Sequence, residues 1–387
     1  MDDKLLAALI GGAVSLVVTG LGLIFNPLAQ RRLQAEKGEI DAHLATRKAE
    51  VDRELQDRRG EIDERLDELR ARLDEGAAER AAQREYEFEA RKRLYTQVEP
   101  LMLQVGFAAE NAFDRVANLA LTTRKGFLDP GPNSWLEPGD EGRRYYLDST
   151  IYRLLLPVAF FEILRGKTTH LDFKLDPRLD AAFRLLRQQF RLWSEEFKFA
   201  GAAPALDYEP YARRTREEEV ATPARYYRQG VALGRVDKIA AAMVLTADGE
   251  IRVKRLGEFE SECASGQGAL HEAAGPFYAL FKGFRPDVRP VLWRILCAQA
   301  CLAYTVRRLV SGAAGGRDVT AIVEQFCGSP RTHELFSLAR EGAPAGPPDA
   351  TVFAAVRVVL KRLLSDRDPL DPGGDALPAP ESLSVPR

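Results

Sequence analysis

Residues 5–25 carry no charged side chain. At about 1.5 Å rise per residue, 21 helical residues cover roughly 32 Å, close to the ~30 Å hydrocarbon core of a bilayer. The polar side chains in the run are Ser15 and Thr19, which can bond back to helix carbonyls. A cleaved signal peptide needs a basic leader and a small-x-small site. The leader here is Met1-Asp2-Asp3-Lys4, and nothing like Ala-x-Ala follows Phe25. The run therefore reads as a transmembrane anchor over residues 1–27.

Its flanks set an orientation. Lys4 stands beside two aspartates on one side, and Arg31, Arg32 and Lys37 follow on the other. The positive-inside rule places the short N-terminus outside and the remaining chain in the cytoplasm, on an inner membrane. Gly11, Ser15, Thr19 and Gly22 fall three or four apart along one face. Small residues at that spacing let spans approach closely and self-associate. The same small and hydroxyl face could also line a narrow channel, so a pore-forming effector gated by its cytoplasmic part is the alternative expectation.

An 11-residue repeat follows. Units open at Gly38, Ala49, Gly60 and Ala71, and each reads small–charged–apolar–Asp. The third positions are Ile40, Val51, Ile62 and Leu73. Four residues later come Leu44, Leu55, Leu66 and, in the last unit, Ala77; Leu33 fits one repeat upstream. Eleven residues in three turns is 3.67 per turn, so the stripe stays nearly axial and partner helices wind with a slight right hand. These eight large apolar residues are the expected coiled-coil core. The alternatives are a helix packed on its own globular body and a lone charged spacer. Glu54–Arg58, Glu61–Arg65 and Glu68–Arg72 are i,i+4 pairs in the favourable order. The stripe is too narrow and its surroundings too acidic for a helix lying in a lipid surface. Pro27 marks a break between span and repeat, and Pro100 a kink further on.

The expected fold is all-α: a transmembrane helix, a charged repeat helix over residues 28–83, a helical bundle over 84–345, a terminal helix over 346–365 and a proline-rich disordered tail over 366–387. In the bundle, Leu179, Phe183, Leu186, Phe190, Trp193 and Phe197 alternate steps of four and three behind the start signal Asp176-Pro177. Residues 145–164, with Pro157 inside, and 226–245, 320–326 and 350–364 also read as helices. Residues 288–310 are apolar nearly all round, as a central core helix should be. Arg294 and Gln299, like Arg153 and Glu162 in 145–164, argue against further spans. Residues 250–254 read as one short strand, and 126–142 and 201–223 as loops.

No catalytic signature appears: HExxH, CxxC, P-loop, GxSxG and GxGxxG are all missing. The chain is therefore not expected to be an enzyme, and no cofactor or metal is expected. His170 and Asp172 could form an acid–base pair, though a surface turn explains them better. Cys297 and Cys301 are spaced i,i+4, but in the most apolar segment they read as core residues rather than metal ligands. The four cysteines suit a reducing compartment. The net charge of −2, and 14 acids against 9 bases in residues 38–81, give no basic stripe for nucleic acid. Arginine outnumbers lysine 43 to 12, which suggests a GC-rich bacterial genome. The expected partners are the lipid bilayer, further copies of the chain and an unidentified cytoplasmic protein.

Overall fold

The computed structural model describes residues 3–131, 134–137, 141–168, 171–247, 249–313, 318–340 and 350–365; for 3–30, 141, 143, 247 and 350 it describes the backbone alone. The expected span, residues 5–25, and the face Gly11, Ser15, Thr19 and Gly22 therefore have their side chains outside the described residues, and the tail 366–387 lies outside them entirely. Among the described residues no helix is long and apolar enough to cross a membrane.

The chain divides into two compact units, Met1–Tyr86 and Glu87–Arg387. The helix α1 (Asp3–Arg124) supplies the first unit and, with its residues 87–124, part of the second. The helix runs through Pro27 and Pro100, so neither proline ends it.

The second unit is mostly helical. After α2 (Glu141–Lys167) a 3₁₀ turn, Phe173–Leu175, leads to α3 (Pro177–Leu192) and α4 (Glu196–Ala200). Then come α5 (Arg216–Ala221), α6 (Pro223–Tyr226) and α7 (Leu233–Met243). An antiparallel hairpin, β1 (Val244–Ala247) and β2 (Glu250–Val253), pairs Val244 with Val253 and Ala247 with Glu250. The chain continues through α8 (Leu256–Ala264), α9 (Ala269–Phe281), α10 (Pro290–Val310), α11 (Val319–Cys327), α12 (Pro330–Leu335) and α13 (Ala350–Ser365).

The core forms around α10. Leu292, Trp293, Ile295, Leu296, Ala300 and Leu302 are buried on every side of it, as the continuous apolar pattern requires. Helices α3, α4, α11 and α13 pack on α10, and α2 packs on α3, α7, α8 and α9. The expected terminal helix is thus part of the body rather than an appendage. Two amides lock α3 to α10: Gln189 Nε2 donates to Gln299 O at 3.3 Å, and Gln299 Nε2 donates to Gln189 O at 2.7 Å.

Several local expectations are met in physical detail. Asp176 caps α3, its Oδ1 accepting from Arg178 N and Leu179 N, with Pro177 at the first turn. Pro157 sits inside α2.

Four expectations need correction. The helix expected over 226–245 is confined to Leu233–Met243, and Val244 and Leu245 belong to β1. The strand at 250 therefore has a partner. Residues 216–221, inside the expected loop 201–223, are helical: Thr215 Oγ1 accepts from Glu218 N while Glu218 accepts from Thr215 N, a reciprocal cap that starts α5. Phe197 does not continue the face of α3. That helix stops at Leu192, and Phe197 lies on α4, exposed, tilted against Tyr208 and stacked on Tyr211.

Candidate functional site

The repeat is a candidate self-association surface. Leu33, Ile40, Leu44, Val51, Leu55, Ile62, Leu66 and Leu73 all lie on α1, and their exposures run from 43% at Leu66 to 65% at Leu33. Within the first unit nothing covers them, and they form one open stripe along the helix. Leu69, 55% exposed, joins the stripe and falls outside the expected core set.

The charges around the stripe are ordered. At 11 residues per three turns, successive residues step about 98°. The two core rows then lie about 16° either side of the stripe's centre line. The next rows, about 50° out, are Arg47, Arg58 and Leu69 on one side and Lys48, Arg59 and Arg70 on the other. Asp41, Asp52, Asp63 and Asp74 form a row about 80° out. Basic residues thus bracket the apolar seam directly, and acids lie beyond. Within the helix Arg58 pairs with Glu54 at 3.1 Å and Arg70 with Asp67 at 3.2 Å. Glu61–Arg65 and Glu68–Arg72 do not close to ion-pair distance among the described residues. A depression lined by Glu36, Glu39, Ile40, His43, Leu44 and Arg47 is one flank of this single helix, not an enclosed cavity.

The body holds three buried polar clusters that pattern reading did not locate. The first fixes residues 229–231 under α10. Gln229 Oε1 accepts from Val291 N at 2.7 Å and Leu292 N at 3.1 Å, satisfying two orphan donors at the start of α10. Arg294 donates to Phe199 O, Ala202 O and Pro204 O. Beside them Glu196 is buried, with Arg228 Nε 3.7 Å from its Oε1 and no hydrogen-bond partner on Oε2. Burial pushes its carboxyl above the ordinary value of 4.5, against the pull of Arg228.

That shift has a sign. A carboxyl whose value is raised on folding stabilises the fold fully below its unfolded value, and the contribution is lost as pH rises through the folded value. Glu196→Gln imitates the protonated state. Relative to the native chain it should gain stability at pH 7 and gain less at pH 4, read from urea midpoints. An equal difference at both pH values would remove Glu196 as the source.

The second cluster joins α2, α8 and α9. Tyr278 Oη donates to Asp148 Oδ1 at 2.5 Å, and Arg144 Nε lies 3.5 Å from Asp148 Oδ2. Asp148 is 2% exposed, and burial raises its carboxyl despite both partners. The Cys263 thiol nearby is pushed up to about 11, chiefly by burial. A thiol so protonated is a poor nucleophile, so this cluster holds helices together rather than offering a reactive group. The third cluster surrounds Arg115, between α1 and α2.

The remaining sequence candidates disperse. Asp172 is exposed and accepts from Lys174 N at 2.9 Å, opening the 3₁₀ turn; His170 lies outside the described residues. Cys297 and Cys301 are buried free cysteines in α10, and burial, followed by a hydrogen bond with Cys327, holds the Cys301 thiol well above its ordinary range. His271 Nδ1 lies 2.9 Å from Cys263 O, and His333 Nε2 lies 2.7 Å from Cys327 O. Among the described residues no group of three or more His, Cys, Asp or Glu is placed to hold a metal. Comparison with known proteins finds no matching family model, no matching curated protein and no matching solved structure.

Proposed function

We propose that this chain is a single-pass, membrane-anchored scaffold or sensor that self-associates and displays a helical cytoplasmic body to a protein partner. The observation that supports this reading best is the solvent-facing apolar stripe of α1, from Leu33 to Leu73, repeating every 11 residues with charge on all other faces. A lone helix gains nothing from leaving such a periodic stripe in water. Identical units repeated along one helix are matched in register by a second copy, over about 66 Å for four repeats. The anchor is residues 5–25, whose small-residue face Gly11, Ser15, Thr19 and Gly22 shares the association because the stripe is only two residues wide per repeat. Arg31, Arg32 and Lys37 put the body on the cytoplasmic side.

Sedimentation of the full chain in detergent tests it. The chain should sediment as an oligomer, and association should tighten between about 50 mM and about 500 mM salt. The Arg47/Arg58 and Lys48/Arg59/Arg70 rows meet like charge across the seam, and salt screens that repulsion. A monomer at every salt concentration sinks the self-association. Extraction of the chain from membranes by alkaline carbonate sinks the anchor independently.

A further inference from the structure

The outer face of α3 carries Arg184, Arg187 and Arg191, each about one turn from the next. Gln188 lies on the same face and donates from Nε2 to Leu363 O at 3.2 Å, a carbonyl in the last turn of α13. Helix α13 also packs on α4. The chain therefore leaves α13 beside a row of guanidiniums. Asp180 pairs with Arg184 at 3.0 Å, and Glu195 serves both Arg191 at 3.7 Å and Lys198 at 2.8 Å. Arg184, Arg187, Arg191 and Lys198 outnumber these two acids, so the face is net positive. Two exposed rings stand at its end. Phe197 on α4, 51% exposed, stacks on Tyr211, 66% exposed, with centroids 6.0 Å apart. The buried Tyr208 backs Phe197 at 5.5 Å, so the ring is held from one side and open on the other.

The sequence beyond Ser365 is complementary to both parts. Residues 366–387 carry five acids against two bases, and Asp366, Asp368 and Asp371 come first. Acids just past a helix C-terminus meet the negative end of its dipole, and pairing with arginine relieves them. Leu377-Pro378-Ala379-Pro380 follows. Proline-rich segments dock on aromatic surfaces because their backbone loses little freedom on binding. The span is within reach. Gln188 and Phe197 are nine residues apart, so their Cα atoms are separated by at most about 32 Å. The 13 residues from Asp366 to Pro378 cover about 40 Å in an extended proline-rich form. Exposed ion pairs are individually weak, but a short tether holds the segment at an effective concentration in the millimolar range.

We propose that residues 366–387 form a strap on their own body. Asp366, Asp368 and Asp371 lie along the arginine face of α3, and Pro378-Ala379-Pro380 covers Phe197 and Tyr211. The strap depends neither on the anchor nor on self-association. A nitroxide label on Ala379→Cys in the full chain tests it, because the four native cysteines are buried. The label should be immobilised in the electron paramagnetic resonance spectrum. Its mobile fraction should rise at least threefold in Phe197→Ala/Tyr211→Ala and in Arg187→Glu/Arg191→Glu. Asp366→Lys/Asp368→Lys/Asp371→Lys should free it equally; that variant changes no residue of the body, so loss of folding does not account for the release. Combining those three lysines with Arg187→Glu/Arg191→Glu should restore immobilisation. A label that moves freely in the native chain overturns the proposal, as does an immobile label that neither body variant releases. A labelled Phe197→Ala/Tyr211→Ala chain mixed with excess unlabelled native chain should stay mobile. Immobilisation there would place the segment on a neighbouring copy and overturn docking on its own body.

Discussion

Val51→Lys, Leu55→Lys and Ile62→Lys, made together, should turn the self-associating chain into a monomer. Each native side chain is at least half exposed in the single chain, so each has apolar area to bury against a second copy. Burying a Val, Leu or Ile side chain contributes roughly 1.5–3 kcal/mol, and three per helix are worth at least about a thousandfold in association. Lysine removes that gain and adds to the Arg and Lys rows already bracketing the seam. The matching control reverses charge on the opposite face: Asp57→Lys and Glu64→Lys should leave the oligomer intact. Sedimentation of both variants in detergent separates the outcomes. A triple variant that stays oligomeric would mean that the stripe is not the seam and that the span alone joins the copies. Loss of association in the control would point to charge rather than to apolar burial.

Gly230→Ala should destabilise the body by about 3 kcal/mol or more. A Cβ on Gly230 would stand 2.0 Å from Glu196 Oε2 and 2.9 Å from Glu196 Cβ. Neither side has room to retreat. Val231 N donates to Trp193 O at 2.7 Å, and Gln229 is tied to the first turn of α10. Moving this segment would strip the cap from the central helix, and moving Glu196 would draw a buried carboxylate away from Arg228, the cation beside it. Glu196→Ala in the same chain should recover part of the loss, since only its Cβ would remain in the way. Gly234→Ala gives the contrast. That glycine sits in α7 with open space around the site, so alanine should stabilise by several tenths of a kcal/mol. Denaturant midpoints of the three variants are sufficient. A Gly230→Ala loss below about 1 kcal/mol would show that the close approach is readily relieved.

These two sites differ in how far sequence reveals them. The stripe is a local, periodic property, and its residues can be named from spacing alone. The capped start of α3 is also local, because Asp176-Pro177 acts within three residues. Gly230 and Glu196 are 34 positions apart, as are Arg115 and Ser149, and no period links such pairs. Local signals were also open to two interpretations. Met243, Val244 and Leu245 extend the apolar pattern of α7, yet the chain turns there into β1, where Val244 and Thr246 suit a pleated edge. Residues 227–232 look like the start of that helix but are not helical, which is what delivers Gln229 to α10 and Gly230 to Glu196. The Thr215-x-x-Glu218 cap was available as a signal but was hidden in a run that charge alone made look like loop. Phe197 follows Trp193 by four, and spacing cannot show that the helix has already ended between them.

The burial of Cys263, Cys297, Cys301 and Cys327 has a kinetic consequence. A small alkylating reagent meets no accessible thiolate on the folded body, so its reaction with these residues counts the moments when the core opens. Cys297 and Cys301 sit at the middle of α10 and report the rarest openings; Cys263, at the rim near Tyr278, reports more frequent ones. The chain thus carries its own clocks for breathing of the body, and a cysteine introduced on the water-facing side of α1 can be labelled selectively against that slow background.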